Sequence, residues 1–230
     1  MIKTFESNFE SAAWLIILAG FFDLLDGMMA RLTNGSSVFG VELDSLADIV
    51  SFGVAPSFMI YVFGLSSYGF SGVIVASLPA IAGAVRLAKY NVAFDGVKSD
   101  VFDGMPIPVQ ASSIVAIVLN AQNVAFLAPD EPGRLPILIP AVVILSILML
   151  STIDFDNVPP PSARYMRNHP VKAVLFSAGA LILLIFRELG LLIVLSAYVF
   201  VAIGRAVYKF AHAVATADPF DVDGDDTITE

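Results

Sequence analysis

Four aspartates stand among mostly apolar residues near the start of the chain, and they are the first side chains that could do chemistry. Asp23 and Asp26 are three positions apart, and Asp44 and Asp48 are four positions apart. Both spacings place the paired side chains on one face of a helix. The connection between the pairs is short enough to make the two helices antiparallel neighbours, so the four carboxylates are expected to converge at one depth.

Carboxylates gathered in this way need positive charge close by. Each ionised carboxylate at the centre of a membrane helix costs roughly 2.5–3.5 kcal/mol, and repulsion between like charges adds to that cost. Ligands made only of oxygen favour Mg²⁺ or Mn²⁺, with Ca²⁺ as a further candidate, over zinc. Two such ions sharing carboxylates would stabilise an in-line displacement at phosphorus. The competing interpretation, that the aspartates only cap helix ends in water, leaves their shared face unexplained.

Long apolar runs surround this cluster and set the class of the protein. Hydrophobic residues make up 57% of the 230 residues and charged residues only 14%, against roughly a quarter charged in a soluble domain. Since a helix needs about 20 mostly apolar residues to cross a bilayer, the sequence predicts an all-α, polytopic membrane bundle. About seven spans are expected, near residues 11–31, 45–65, 70–88, 107–127, 136–152, 171–186 and 189–209. The absence of cysteine excludes disulfides and thiolate metal sites.

The basic residues give this bundle an orientation. If the connection after the first span is cytoplasmic, nine of the twelve Lys and Arg residues fall on that side, which is a strong positive-inside bias. The nine are Arg31, Arg86, Lys89, Lys98, Arg164, Arg167, Lys172, Arg205 and Lys209, against Lys3, Arg134 and Arg187 on the other side. The N-terminus is then outside, and the aspartate cluster lies at the cytoplasmic face of the cell membrane.

The predicted organisation is a short N-terminal segment (1–10), a transmembrane domain (11–212) and an acidic, disordered tail (213–230). The tail carries part of the net charge of −9 and is expected to be solvated. An acidic surface adapted to high salt is a second, compatible interpretation.

The spacing of the aspartates resembles a known signature. Asp23-x-x-Asp26-Gly27-x-x-Ala30-Arg31, eight residues, then Gly40-x-x-x-Asp44-x-x-x-Asp48 is similar to the motif of the CDP-alcohol phosphatidyltransferases, with all eight specified positions present. Four further stretches resemble the phosphatidylserine synthase branch of that family, namely Phe39–Pro56, Ala82–Val92, Asp103–Ala111 and Leu148–Ile153. The similarity extends from about residue 12 to residue 153.

The resemblance implies a role for each signature position. Asp23, Asp26 and Asp44 would bind one metal ion, and Asp23, Asp44 and Asp48 a second. Asp48 would also be the base that takes the proton from the incoming hydroxyl. The CDP-lipid would be bound at Gly27, Ala30, Arg31, Ser37 and Gly40.

Residue chemistry agrees with two of these binding roles. Gly27 lacks a Cβ and lets a nucleotide approach the backbone, although glycine also serves helix packing in membranes. Arg31 can hold phosphate in a bidentate fork, although interfacial arginines also extend to the membrane surface without a ligand. Gly40 is equally explained by a turn before the second span, and Ala30 by close packing.

The reaction that the resemblance implies moves a phosphatidyl group, or an archaetidyl group in archaeal diether lipids, from a CDP-lipid to an alcohol and releases CMP. L-Serine as the acceptor follows from the resemblance alone. A serine carboxylate requires a nearby cation, and the candidates are Arg86 and Lys89 at the end of the third span. The alternative is that both residues only flank the span on its cytoplasmic side, as the positive-inside rule describes. The resemblance also implies a homodimer, and no nucleic-acid partner is expected.

Two other functions are open on the sequence. A synthase of the same superfamily would use glycerol 3-phosphate or inositol phosphate as the acceptor. A cation-coupled membrane transporter would also place aspartates in membrane helices. Transporters typically have broken helices and internal repeats, and no repeat is seen in this sequence.

Members of the resembled family normally carry a further membrane helix ahead of the one with the first aspartates. Only about ten residues precede the first predicted span here. Either translation starts upstream of Met1 or the chain lacks that helix, and the predicted orientation favours the first.

Overall fold

The computed structural model describes residues 1–33, 38–93, 101–121, 123–124, 127, 135–156 and 170–216. In these ranges the chain is almost entirely helical, as the apolar runs predict. A two-stranded sheet is an addition that the sequence did not predict.

The first long helix, α2 (Phe9–Thr33), follows the four-residue helix α1 (Ile2–Phe5). It begins directly after Asn8, whose side-chain oxygen accepts a hydrogen bond from the amide of Ser11 at 3.0 Å. A polar cap of this kind satisfies a backbone amide that has no partner inside the helix. About four turns further on, α2 carries Asp23.

The helix α3 (Val38–Asp48) continues directly into a longer helical segment that ends in a turn at Gly69. At that turn φ is 58°, which glycine adopts without steric cost. The helix α5 (Gly69–Ala93) then packs back along the preceding segment, so that the two form a helical hairpin. The parts of that preceding segment are a π-helical stretch (Ile49–Val54), α4 (Ala55–Ile60), a second π-helical stretch (Tyr61–Leu65) and a 3₁₀ turn (Ser66–Tyr68).

The two arms of this hairpin approach each other closely at Gly53. A Cβ added there would lie 3.2 Å from the Cα of Ala80, which leaves no room for a larger side chain without displacement. Small residues that let membrane helices come into backbone contact are typical of membrane bundles.

The helix α6 (Ile107–Asn120) occupies the centre of the bundle. Most of its side chains are buried, among them Ile114 and Val115, and it contacts α2, α4 and the last helix. The helix α7 (Leu138–Leu150) packs on both α5 and α6. Nearly every face of α6 is therefore covered by other helices.

Two short strands join the residues before α6 to those after α7. β1 (Val101–Asp103) pairs antiparallel with β2 (Asp154–Asp156), and Phe102 lies opposite Phe155. The side chain of Phe155 is fully buried, so the sheet is anchored to the core.

The last helix, α8 (Pro170–Thr216), consists of two helices joined at Arg187, where a φ of 46° and a ψ of −110° interrupt the helical path. Such a break leaves backbone groups that need partners outside the helix. Asn120, at the end of α6, donates a hydrogen bond from Nδ2 to the carbonyl oxygen of Glu188 at 2.8 Å. Because Asn120 is only 1% exposed, this bond fastens the break to the centre of the bundle.

Within the described ranges, three helical segments are long and apolar enough to cross a membrane. They are Phe9–Met29, Glu42–Asn91 and Ser177–Ala215. The second contains the turn at Gly69 and the third contains the break at Arg187, and each covers two of the predicted spans. With 14 and 13 residues, α6 and α7 are shorter than the about 20 residues that a crossing needs. The helical membrane class is confirmed, and the count of about seven spans is not.

Several predictions fall on residues outside the described ranges. They concern Ser37, Lys98, Arg134, Arg164, Arg167 and the tail from residue 217 onward. The predicted domain boundaries stay predictions; α8 itself continues beyond the predicted boundary at residue 212, to Thr216.

Candidate active site and metal centre

Three of the four signature aspartates meet in space. Asp23 lies on α2, and Asp44 and Asp48 lie one turn apart on α3. One carboxylate oxygen from each lies within 4.8 Å of the corresponding oxygen of the other two. Asp23 and Asp48 are half-buried and Asp44 is exposed, so the cluster has an open side.

The donor set of this cluster fits a hard divalent cation. At metal–oxygen distances of about 2.1 Å, neighbouring ligand oxygens are about 3 Å apart and opposite ones about 4.2 Å apart. The three carboxylate oxygens lie within 4.8 Å of one another, which is close to the wider of these values. Repulsion between the three negative groups makes a cation the natural counter-charge. The geometry selects no particular ion among Mg²⁺, Mn²⁺ and Ca²⁺.

Asp26 lies outside this three-residue group. It follows Asp23 by almost one turn of α2 and is exposed. The two side chains still interact electrostatically. A helix of 3.6 residues per turn places Asp26 about 4.5 Å further along the axis than Asp23, which sets it at the edge of the cluster.

The other signature positions are arranged along the same two helices. The backbone of α2 places Gly27 one turn after Asp23, and the position of Arg31 follows one turn later. Gly40 is exposed in the first turn of α3. The side chains of Ala30 and Arg31 and the whole of Ser37 lie outside what the structure describes.

A buried arginine lies next to the acidic cluster. Arg86 of α5 is only 7% exposed, and its guanidinium carbon is 4.5 Å from the centre of the Tyr90 ring. It interacts electrostatically with Asp48, which brings a cation beside the cluster. Lys89, the second basic residue predicted for acceptor binding, is exposed. Tyr90 was not predicted as a site residue, although its i, i+4 spacing from Arg86 is a usable signal.

A hydrogen bond between side chains ties α5 to α3 beside the aspartates. Asn91 donates from Nδ2 to Oγ of Ser45 at 3.3 Å, and Ser45 directly follows Asp44. Because α5 also carries Arg86, this bond helps to fix the basic side chain relative to the acidic ones. No local sequence signal links Ser45 with Asn91, and the pairing was not predicted.

Comparison with known proteins agrees with the signature. A family model described as CDP-alcohol phosphatidyltransferase matches residues 1–153. The chain belongs to the CDP-alcohol phosphatidyltransferase family. The match takes in the aspartate cluster and Arg86, whereas β2 and α8 lie beyond it.

Curated relatives of this chain carry two names. The CDP-diacylglycerol–serine O-phosphatidyltransferase of Helicobacter pylori is 40% identical over 150 residues, which are 65% of this chain and 62% of the relative. The Bacillus subtilis protein of the same name is 39% identical, over 65% of this chain and 77% of the relative. The archaetidylserine synthase of Methanothermobacter thermautotrophicus is 32% identical, over 69% of this chain and 63% of the relative. The matched region thus spans 62% of the Helicobacter protein.

Proposed function

We propose that this chain transfers a phosphatidyl or archaetidyl group from a CDP-lipid to L-serine and releases CMP. The observation that carries the proposal is the meeting of Asp23, Asp44 and Asp48 within 4.8 Å, in a chain of the CDP-alcohol phosphatidyltransferase family. Relatives named for serine as the acceptor in both bacteria and an archaeon support the choice of acceptor. Their names differ in the lipid, so both diacyl and diether CDP-lipids are proposed as donors.

In the proposed reaction the carboxylates hold divalent metal and one of them acts as the base. Asp23, Asp26 and Asp44 would hold one ion, and Asp23, Asp44 and Asp48 a second, with Mg²⁺ or Mn²⁺ preferred. Metal bound there supplies positive charge that offsets the charge of the diphosphate. The oxygen of the serine hydroxyl bonds to the lipid-side phosphorus while Asp48 takes the hydroxyl proton. The bond from that phosphorus to the bridging oxygen breaks, and this oxygen leaves with CMP.

The substrates are proposed to occupy opposite sides of the cluster. Gly27 and Arg31, together with Ala30, Ser37 and Gly40, would bind the cytidine diphosphate part along α2 and the start of α3. Arg86 would bind the serine carboxylate, because it is the buried cation beside the proposed base. Lys89 is retained as a weaker candidate, since an exposed lysine is also explained by its place at a membrane surface.

The proposed setting is the cell membrane, with about seven spans, the N-terminus outside and the active site on the cytoplasmic face. The proposed transmembrane phosphatidyltransferase domain is 11–212, between a short N-terminal segment (1–10) and a disordered tail (213–230). A homodimer is proposed from the family. The positive-inside distribution of Lys and Arg supports the orientation.

The purified protein in detergent tests this function directly. CMP release would be measured with CDP-diacylglycerol or CDP-archaeol, with Mg²⁺ or Mn²⁺, and with serine, glycerol 3-phosphate or inositol phosphate as the acceptor. We expect release that depends on serine and on metal and that stops when EDTA is added. Release with either phosphorylated acceptor but not with serine would assign the chain to a different synthase of the superfamily.

A further inference from the structure

Tyr198 of α8 lies close to the proposed acceptor site, although it is distant in sequence from every signature residue. Arg86 interacts electrostatically with three side chains, those of Tyr90, Asp48 and Tyr198. Tyr90 lies on the same helix and Asp48 on α3, whereas Tyr198 comes from the opposite end of the chain. The buried guanidinium of Arg86 therefore interacts both with the proposed base and with a residue of α8.

The ring of Tyr198 is held in place independently of Arg86. Its centroid is 5.7 Å from that of Phe155, with the two planes at 45°. Phe155 is fully buried in β2 and is fixed there by the pairing with β1. Tyr198 itself is half-buried and packs against the hydrophobic core. Packing of the ring leaves the hydroxyl as the part of the side chain that can serve a polar role.

The position of Tyr198 relative to the two substrates favours the acceptor. The signature positions proposed for the CDP-lipid lie on α2 and at the start of α3, whereas Arg86 and its aromatic neighbours lie on α5 and α8. A carboxylate held by Arg86 beside Asp48 would lie near the Tyr198 hydroxyl, and hydrogen bonds from hydroxyl to carboxylate are among the strong ones.

We propose that Tyr198 is an acceptor-binding residue whose hydroxyl donates a hydrogen bond to the carboxylate of the amino-acid acceptor that Arg86 holds. This inference rests on the proposed function, since it requires an acceptor with a carboxylate. Tyr198 lies beyond residues 1–153, the range of the family match. The acceptor site is thereby completed by a helix outside the part of the chain that carries the signature.

Tyr198→Phe tests the hydroxyl while keeping the ring that packs on Phe155. We expect the KM for serine to rise about tenfold, the size of effect that loss of a hydrogen bond to a charged group produces. The KM for the CDP-lipid and the thermal stability in detergent should stay within about twofold and about 2 °C of wild type, because the ring contacts remain. Tyr208→Phe is the matched control, since Tyr208 lies on the same helix and is 71% exposed; its kinetics should equal those of wild type.

A second variant separates binding from packing. Tyr198→Leu removes the ring as well, so it should raise the KM for serine at least as much as Tyr198→Phe and also lower the thermal stability. If Tyr198→Phe keeps the wild-type KM for serine, the hydroxyl has no part in acceptor binding and the inference is overturned. Equal increases in the KM for both substrates would overturn it as well, since they indicate a general structural effect. If wild-type protein releases no CMP with serine, the proposed function itself fails, and that result is separate from any outcome of the variants.

Discussion

At the scale of single residues, the proposed reaction assigns different roles to the carboxylates of one cluster. Asp48 is half-buried and interacts electrostatically with Arg86, whereas Asp44 is exposed at the open side. Both lie on the same face of α3 because their spacing is close to one helical turn. This arrangement allows one helix to offer the proposed metal ligand Asp44 and the proposed base Asp48 to the same cluster.

Asp48→Asn separates the base from the ligands. The amide keeps the size of the side chain and one oxygen, but it cannot accept the proton of the acceptor. We expect kcat to fall at least roughly 10²-fold, while CDP-lipid binding is retained better than in Asp23→Asn. CMP release and equilibrium binding of the CDP-lipid measure the two effects. Glu42→Gln on the same helix is the control, because Glu42 is exposed and outside the cluster; wild-type turnover in Asp48→Asn would rule out the assignment of the base.

Asp44→Asn tests metal binding without relying on turnover. Replacing one of three carboxylates with an amide removes negative charge from the ligand set. We expect Mn²⁺ affinity, followed by electron paramagnetic resonance of the free ion, to fall at least about tenfold, which is the loss typical even for residues that only support a ligand. Glu42→Gln should bind Mn²⁺ like wild type. Unchanged affinity in Asp44→Asn would remove this residue from the metal site.

At the scale of the elements, the bundle is organised around α6 and the broken helix α8. The break at Arg187 exposes the carbonyl of Glu188, and Asn120 supplies the missing donor from the end of α6. Asn120 also donates to the carbonyl oxygen of Ala116 at 2.8 Å, one turn earlier in its own helix. One buried amide group thus serves two elements that are far apart in sequence.

Asn120→Leu should loosen this contact. The substitution keeps the branched shape and the number of side-chain heavy atoms but leaves the Glu188 carbonyl without its donor, at a cost of about 1 kcal/mol. For a chain of this size that corresponds to a fall in Tm of about 3 °C, measured by thermal unfolding in detergent. Asn123→Leu is the control, since Asn123 is exposed nearby. Equal Tm values for Asn120→Leu and wild type would show that α8 is held by apolar packing alone.

Features that arise from neighbouring residues could be predicted from the sequence, whereas features that depend on contacts between distant residues could not. Helical periodicity placed Asp44 and Asp48 on one face, and long apolar runs located α2 and the hairpin. The sheet, by contrast, pairs Phe102 with Phe155, which α6 and α7 separate along the chain, and three-residue strands leave no periodic signal. The contacts of Arg86 with other helices could not be predicted from the sequence either, because no spacing rule links residues on separate elements.

At the scale of the whole molecule, the exposed apolar side chains and the charged cluster lie in different places. Apolar side chains remain exposed along α2 and α8, among them Phe21 and Leu184, as expected of surfaces that face lipid. The acidic cluster and Arg86 lie between helices instead. Costly charges are thereby gathered where counter-charges and ligands can compensate them.

The absence of cysteine from the whole chain makes the proposed topology directly testable. In that topology the turn before Gly69 faces outside and the end of α5 faces the cytoplasm. Ser66 and Lys89, one in each place, are both exposed and suit single-cysteine substitution. A membrane-impermeant maleimide should label Ser66→Cys in intact cells and Lys89→Cys only after permeabilisation, because α5 crosses the bilayer between them. The opposite pattern would invert the orientation and place the aspartates outside, away from cytoplasmic CDP-lipid headgroups, whereas labelling of both sites from one side would show that α5 does not cross.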